Sequence, residues 1–186
     1  ILYTHDPLGR SKLRPEAMRD GRLSRALRSL DVGDAAVTIN SEANYFSYEH
    51  FYVIFSTFCD VDVHQKGVLD ADDLQRYSNC ALSCRAVERI FTCGRGAVAS
   101  AGAKLGSMTY ADFVWFLLSE VDKTSRTACG YWFRILDVDG DGYIDERDLQ
   151  YFYEEQEQRQ AQLNLEVIPF RDVLVQLTDA ISPRSG

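Results

Sequence analysis

The sequence predicts an all-α fold made of tandem helix–loop–helix units whose loops pair through short strands. Three observations lead there. In Tyr131–Tyr153, YWFRILDVDGDGYIDERDLQYFY, apolar residues at helical spacing run up to Asp137 and resume at Leu149, leaving a loop between two helices. A weaker copy of the same helix, loop and helix recurs in residues 45–78. Composition fits a packed, soluble chain: 186 residues that are 46% hydrophobic, with a mean hydropathy of -0.23, can bury one or two small cores. Two pairs of units are expected, residues 1–80 with degenerate loops and residues 81–186 with one working loop and a truncated following helix.

The loop pattern supplies a measure for each unit. A calcium loop of the EF-hand type presents oxygens at positions 1, 3, 5, 7, 9 and 12 of twelve residues, with Gly at position 6 where the chain turns sharply. At the start of the chain, Asp6, Ser11, Leu13 and the helix start at Pro15 keep this spacing, but Leu8, Arg10 and Ala17 occupy positions 3, 5 and 12. That unit is scaffold only. Residues 10–28 carry seven Arg/Lys against Glu16 and Asp20, which reads as a solvated helix face.

The second unit, YFSYEHFYVIFSTFCDVDVHQKGVLDADDLQRYS, keeps the frame with Asp62 at position 1, Gly67 at 6, Leu69 at 8, Asp70 at 9 and Asp73 at 12. The ligands fail: His64 stands at position 3 and Lys66 at position 5, and an ammonium directed into a cation cage opposes the charge to be held. The loop is expected to be metal-free. A register from Asp60 would place Asp60 and Asp62 at positions 1 and 3, at the cost of moving Gly67 to position 8.

In the third unit, Cys84–Cys93 reads as a helix, residues 94–106 as a flexible Gly/Ala/Ser-rich loop, and SMTYADFVWFLLSE sets Asp112 at position 12 with no ligand before it. Phe113–Leu118 is an unbroken apolar run, wider than one helix face needs, so core burial is expected, with a partner surface as the alternative.

The fourth unit is a metal cage. Asp137, Asp139, Asp141, Asp145 and Asp148 fill positions 1, 3, 5, 9 and 12, Tyr143 offers its carbonyl at 7, Gly142 holds position 6, and Ile144 at 8 is expected to form a short strand against a neighbouring loop. Five carboxylates packed this closely repel one another without a cation. Asp148 stands where the pattern has Glu. One methylene shorter, it lowers the expected coordination number, so the dissociation constant should lie at or above the sensor range of about 10⁻⁷ to 10⁻⁵ M, with Mg²⁺ a better competitor for the Ca²⁺ site. Residues 170–181 then read as an amphipathic helix that stops before another loop, so the chain looks excised from a longer repeat array.

Other function classes find little support. Net charge is -8, with ten acids in residues 137–166, and no nucleic-acid motif accompanies the basic stretch. No apolar run approaches the roughly 20 residues that span a bilayer, and residues 1–10 lack the order of a signal peptide. The five cysteines (Cys59, Cys80, Cys84, Cys93, Cys129) include no CxxC pair and are expected to be reduced core thiols, with a zinc site at Cys80 and Cys84 as the alternative. Reduced thiols favour a cytoplasmic or nuclear setting. No nucleophile motif, phosphate loop or HExxH is present, and His5, His50 and His64 stand at unrelated sites, so no enzymatic activity is expected.

Six strings carry a more specific likeness: YFSYEHFYVI (45–54), DADDLQRY (70–77), VERIF (87–91), MTYADFVWFLLSEVDK (108–123), YWFRILDVDGDG (131–142) and YFYEEQ (151–156). Through them the chain resembles, over about residues 1–183, the carboxy-terminal EF-hand domain of the B-double-prime (PR72/PR70-type) regulatory subunits of protein phosphatase 2A. The resemblance implies a non-catalytic subunit that binds the scaffold subunit and recruits the catalytic subunit to chosen phosphoproteins, with calcium favouring assembly. It also implies a cytoplasmic protein, with nuclear and cytoskeleton- or centrosome-associated pools as alternatives. Family members have two metal-binding EF-hands here, and His64 and Lys66 leave this chain one. The apolar run 113–118 and the aromatics of 45–58 are the first candidates for the scaffold contact. A stand-alone calcium sensor or adaptor is the competing reading. Its adaptable groove leans on methionine, and this chain has only Met18 and Met108. Metal in the 137–148 loop is expected to fix the angle between helices 123–136 and 146–160.

Overall fold

The computed structural model describes residues 1–6, 12–19, 21–31, 48–94 and 106–181. The expected flexible loop over 94–106, the residues before Tyr48 in the second unit, Leu8, Arg10 and Ser11 of the first, and the tail 182–186 lie wholly or largely outside these. The fold is all-α as expected: α1 (Leu2–His5), α2 (Pro15–Met18), α3 (Gly21–Asp31), α4 (Tyr48–Val61), α5 (Ala71–Gln75), α6 (Cys84–Cys93), α7 (Tyr110–Val121), α8 (Arg126–Leu136), α9 (Glu146–Gln162) and α10 (Phe170–Ile181). Two short strands, β1 (Val68–Leu69) and β2 (Met108–Thr109), join the loops of the second and third units.

Local chemistry sets where the helices begin. Asp70, Thr109 and Asp145 each cap the helix that follows and each meets an Asp three residues on, forming a capping box that satisfies two otherwise orphaned N–H groups. Ser83 and Ser125 cap α6 and α8 by accepting from Ala86 and Ala128 N–H at 3.1 and 3.2 Å. Between α7 and α8, Asp122 Oδ1 accepts from Ser125 N, Thr124 N and Thr124 Oγ1, and the Ser125 side chain foremost, together with these bonds, holds its carboxyl down at about 2.

β1 and β2 pair antiparallel, with Val68 opposite Thr109 and Leu69 opposite Met108. Leu69 and Met108 hold position 8 of their loops and are both buried, so the pair is the usual bridge between two adjacent hands. This bridge and the core beneath it cross the boundary expected between residues 80 and 81. The expectation for Ile144 fails. Residues 143–145 form no strand, and Tyr143 and Ile144 are 73% and 38% exposed, because the strand partners are already matched with each other.

The core forms where α7 lies against α4 and α8. Phe113, Trp115, Phe116 and Leu117 are buried and Val114 and Leu118 half-buried, so the apolar run is chiefly core. Phe58 meets Phe113 edge-on at 5.4 Å, Tyr77 meets Phe116 at 5.3 Å, and Trp132 donates its indole N–H to the Ser119 carbonyl at 2.7 Å. The first residues belong to the same core. Tyr3 packs edge-on against Trp115 at 5.2 Å, and Thr127 donates to the Tyr3 carbonyl. Burial pushes the Tyr131 phenol well up, in keeping with its place between these helices.

The cysteines are free but not core residues: Cys59, Cys80, Cys84 and Cys129 are exposed and Cys93 is half-buried. On α4 the inward positions fall to Phe58 and Val61, which turns Cys59 outward. Cys80 sits in a left-handed turn after Asn79, where no helix face directs it inward. The basic face is as expected, with Leu23 and Ala26 inward on α3 and Arg22, Arg25 and Arg28 exposed. No described helix is long and apolar enough to cross a membrane.

Candidate metal centre

The fourth loop is shaped by its first ligand. Asp137 ends α8 and is buried, and its carboxylate organises the following turn. Oδ1 accepts from Gly140 N at 2.8 Å and Asp141 N at 3.1 Å, and Oδ2 accepts from Gly142 N at 3.1 Å. Gly142 has φ 88°, a left-handed value that a Cβ would resist. Asp139 Oδ1 accepts from Asp141 N, and Asp141 Oδ1 accepts from Tyr143 N at 2.8 Å. Tyr143 thus enters through its backbone while its ring faces solvent.

Carboxylate oxygens of Asp137, Asp139 and Asp141 lie within 4.8 Å of one another, and among the described residues this is the one such cluster of metal-ligating groups. Three hard oxygen donors so close, one of them buried, fit a hard divalent cation better than a zinc-type centre. Cys80 and Cys84 belong to no such cluster among the described residues, and partial desolvation of its sulfur within an otherwise exposed residue, with the Glu155 carboxylate beside it, pushes the Cys84 thiol up, away from the thiolate that zinc needs.

The other two expected carboxylate ligands stand apart from that cluster. Asp145 Oδ1 accepts from Arg147 N at 2.8 Å, while the buried Asp148 accepts from Val138 N at 2.8 Å through Oδ1 and from Asp145 N at 2.9 Å through Oδ2. Position 12 therefore ties positions 2 and 9 together.

Three residues that sequence reasoning missed hold the flanks of this loop: Arg85 and Arg89 on α6, and Glu155 on α9. Arg89 donates to the carbonyls of Ile135 and Arg134 at 3.0 Å and of Asp137 at 2.6 Å, closing the end of α8. Glu155 on α9 accepts from Cys84 N at 2.7 Å and Arg85 N at 2.9 Å, placing its charge at the start of α6. Burial raises the Glu155 pKa, but these N–H bonds and the Arg85 charge outweigh it and leave the carboxyl lowered. Arg85 returns to α9 by donating to the Tyr151 carbonyl and to Glu154, with its guanidinium 4.5 Å from the Tyr151 ring centre. The one signal in the sequence is the four-residue spacing of Arg85 and Arg89.

The two flanking aromatics differ from their counterpart in the second unit. Phe58 is buried, whereas Phe133 is 38% exposed and Phe152 half-buried, since no described loop pairs with 137–148. In the second loop, Asp62 Oδ2 accepts from Gly67 N at 2.7 Å as Asp137 does from Gly142, but Lys66 Nζ bridges Asp70 and Asp73.

No family model matches the chain. Among curated proteins, the B'' subunit delta of mouse (Mus musculus) protein phosphatase 2A is 42% identical over 186 residues, 99% of this chain and 37% of that protein. The human (Homo sapiens) B'' subunit alpha is 45% identical over 164 residues, 87% of this chain and 14% of that protein. A solved PP2A PR70 holoenzyme, designated diCa, contains a chain with a TM-score of 0.80 and 42% identity, matched over 100% of this chain and 66% of its own length. The chain thus spans little more than a third of the first of these relatives. Identity of this order along almost the whole chain, carried by a shared fold, means that the chain belongs to the B'' regulatory-subunit family of protein phosphatase 2A.

Proposed function

We propose that this chain is the calcium-binding part of a non-catalytic regulatory subunit, which docks on the scaffold and catalytic subunits of protein phosphatase 2A and directs them to phosphoprotein substrates in the cytoplasm. The observation that supports it most is the full-length likeness to the PR70 chain of a holoenzyme. Asp137, Asp139 and Asp141 would hold one Ca²⁺, with the Tyr143 carbonyl, Asp145 and Asp148 completing the set, and Mg²⁺ competing. The ion supplies positive charge to a cluster that otherwise repels itself. The chain's own residues do the rest: Asp137 shapes the turn, and Arg89 and Glu155 keep α8 and α9 on α6, so the surface offered to a partner is largely built before the ion arrives. On α4, Tyr48, Phe51, Tyr52 and Phe55 are exposed, and this aromatic face is the candidate for the scaffold contact.

The test combines calorimetric calcium titration of the wild type and Asp137→Ala with capture of purified scaffold subunit in calcium or chelator. The expected result is one ion, abolished by the substitution, and capture that calcium strengthens. No capture in either condition would favour a stand-alone sensor, and phosphatase activity in the chain alone would remove the non-catalytic reading.

A further inference from the structure

The second loop follows the backbone path of the fourth while lacking its ligands. Positive φ angles occur at positions 4 and 6 in both, Gln65 (52°) and Gly67 (74°) in one, Gly140 (77°) and Gly142 (88°) in the other. Gln65 gains nothing from a left-handed conformation that Gly adopts freely, so the loop itself demands this path. In both loops the first Asp is buried and accepts from the N–H at position 6, and in both the position 9 and 12 carboxylates form a capping box with the backbone. One frame therefore has two fillings: at the ligand positions, five carboxylates in 137–148, and three carboxylates with an ammonium in 62–73.

The ammonium is on the ligands. Lys66 Nζ lies 2.6 Å from Asp73 Oδ2 and also contacts Asp70 Oδ2, so it spans positions 12 and 9, while its own N–H donates to Asp62 Oδ1 at position 1 at 2.9 Å. Asp73 is 1% exposed, and a carboxylate so buried needs a cation beside it. Arg76 meets its other oxygen from the helix side, which leaves Lys66 to face it from within the loop. His64, at position 3, is exposed and takes no part.

We propose that Lys66 is the resident cation of the 62–73 loop, replacing a divalent ion and keeping this hand, with the β1–β2 bridge it carries, in one arrangement at every calcium concentration. The conclusion goes beyond a loop that merely fails to bind calcium. Leu69 closes the core opposite Met108, so a hand that opened when calcium fell would unzip the bridge between the second and third units. Lys66 removes that dependence and confines any calcium response to 137–148.

Calorimetry and hydrogen–deuterium exchange on the 186-residue chain test this, with Asp137→Ala as the background that silences the fourth loop and Asp141→Asn in reserve should that variant not fold. In that background no calcium heat remains, and amides of 62–73 and 107–112 exchange alike in calcium and chelator. Lys66→Met speeds exchange there by roughly tenfold or more, calcium does not restore it, and Lys66→Arg, which keeps the charge, stays within about threefold of the wild type. His64→Asp with Lys66→Asp in the same background regains one calcium ion with a Kd of about 10⁻⁶ to 10⁻⁴ M and makes exchange calcium-dependent. Calcium protection of 62–73 in the Asp137→Ala chain, or wild-type exchange in Lys66→Met, would overturn the proposal. A wild type that takes up no ion would sink the 137–148 site alone, since the Lys66 variants are judged without it.

Discussion

Lys66 and Asp70 give the second loop a pH window. The Lys66 hydrogen bond is the largest cause holding the Asp70 carboxyl at about 2, down from 3.8, while hydrogen bonds to Asp70 and Asp73 raise the Lys66 ammonium. A depressed carboxyl stabilises the fold above its unfolded value and loses that contribution as pH falls through the folded one. The raised ammonium contributes below its ordinary value and loses it only in strong alkali. Protection of the 62–73 amides, the exchange rate taken relative to its intrinsic value at each pH, should therefore stay level from about pH 5 to 9 and fall between about pH 4 and 2. Lys66→Met should shrink that acid step, leaving the part that the Asp73 hydrogen bonds supply, and measurement across the range checks both. The identity of every residue in this network was legible in the sequence, as was the conflict between Lys66 and a metal. That the ammonium would turn onto Asp70 and Asp73 was not, because it depends on the buried placement of Asp73, which the fold imposes.

At the scale of elements, α6 governs the fourth hand from outside. Arg89 satisfies three carbonyls at the end of α8, and Glu155 satisfies two N–H groups at the start of α6, so the helices on either side of the 137–148 loop are tied to a third helix. Arg89→Ala leaves those carbonyls without their donor and should cost about 1–3 kcal/mol of stability. It should also weaken calcium binding several-fold, since the Asp137 carbonyl and carboxylate belong to one residue. Arg89→Lys, with fewer donors in a less fixed geometry, should recover only part of either loss. Denaturant unfolding and calorimetry on the same variants separate the two effects. Helices, caps and the apolar run on α7 could be read from local periodicity. The clamp could not, since Arg85 and Arg89 lie 45 to 69 residues in sequence from their partners on α9 and at the end of α8. Ile144 shows the converse error: a residue in the right loop position forms no strand when the neighbouring loops have already paired with each other.

For the whole molecule, these ties decide what kind of calcium response is available. A sensor that opens on calcium exposes an apolar groove between two helices that were free to separate. Here α8 and α9 are both held by α6, the second hand carries its own cation, and the chain has two methionines with which to line a groove. Calcium should therefore act as a ligand of the folded state and leave the exposed surface nearly unchanged. At 100 times its dissociation constant an ion adds about 2.7 kcal/mol, which for a chain of this size raises Tm by roughly 5–10 °C. Thermal unfolding in calcium and in chelator should show that rise, while binding of a hydrophobic dye to the folded chain stays level. A large gain in dye binding with calcium would mean that α8 and α9 separate and that the α6 clamp yields. Calcium would then strengthen scaffold capture by uncovering a surface, and Arg89→Ala, by loosening the clamp, would strengthen capture in chelator. A level dye signal with a raised Tm would instead tie stronger capture to a more fully folded population presenting one fixed surface, and Arg89→Ala would weaken capture in both conditions.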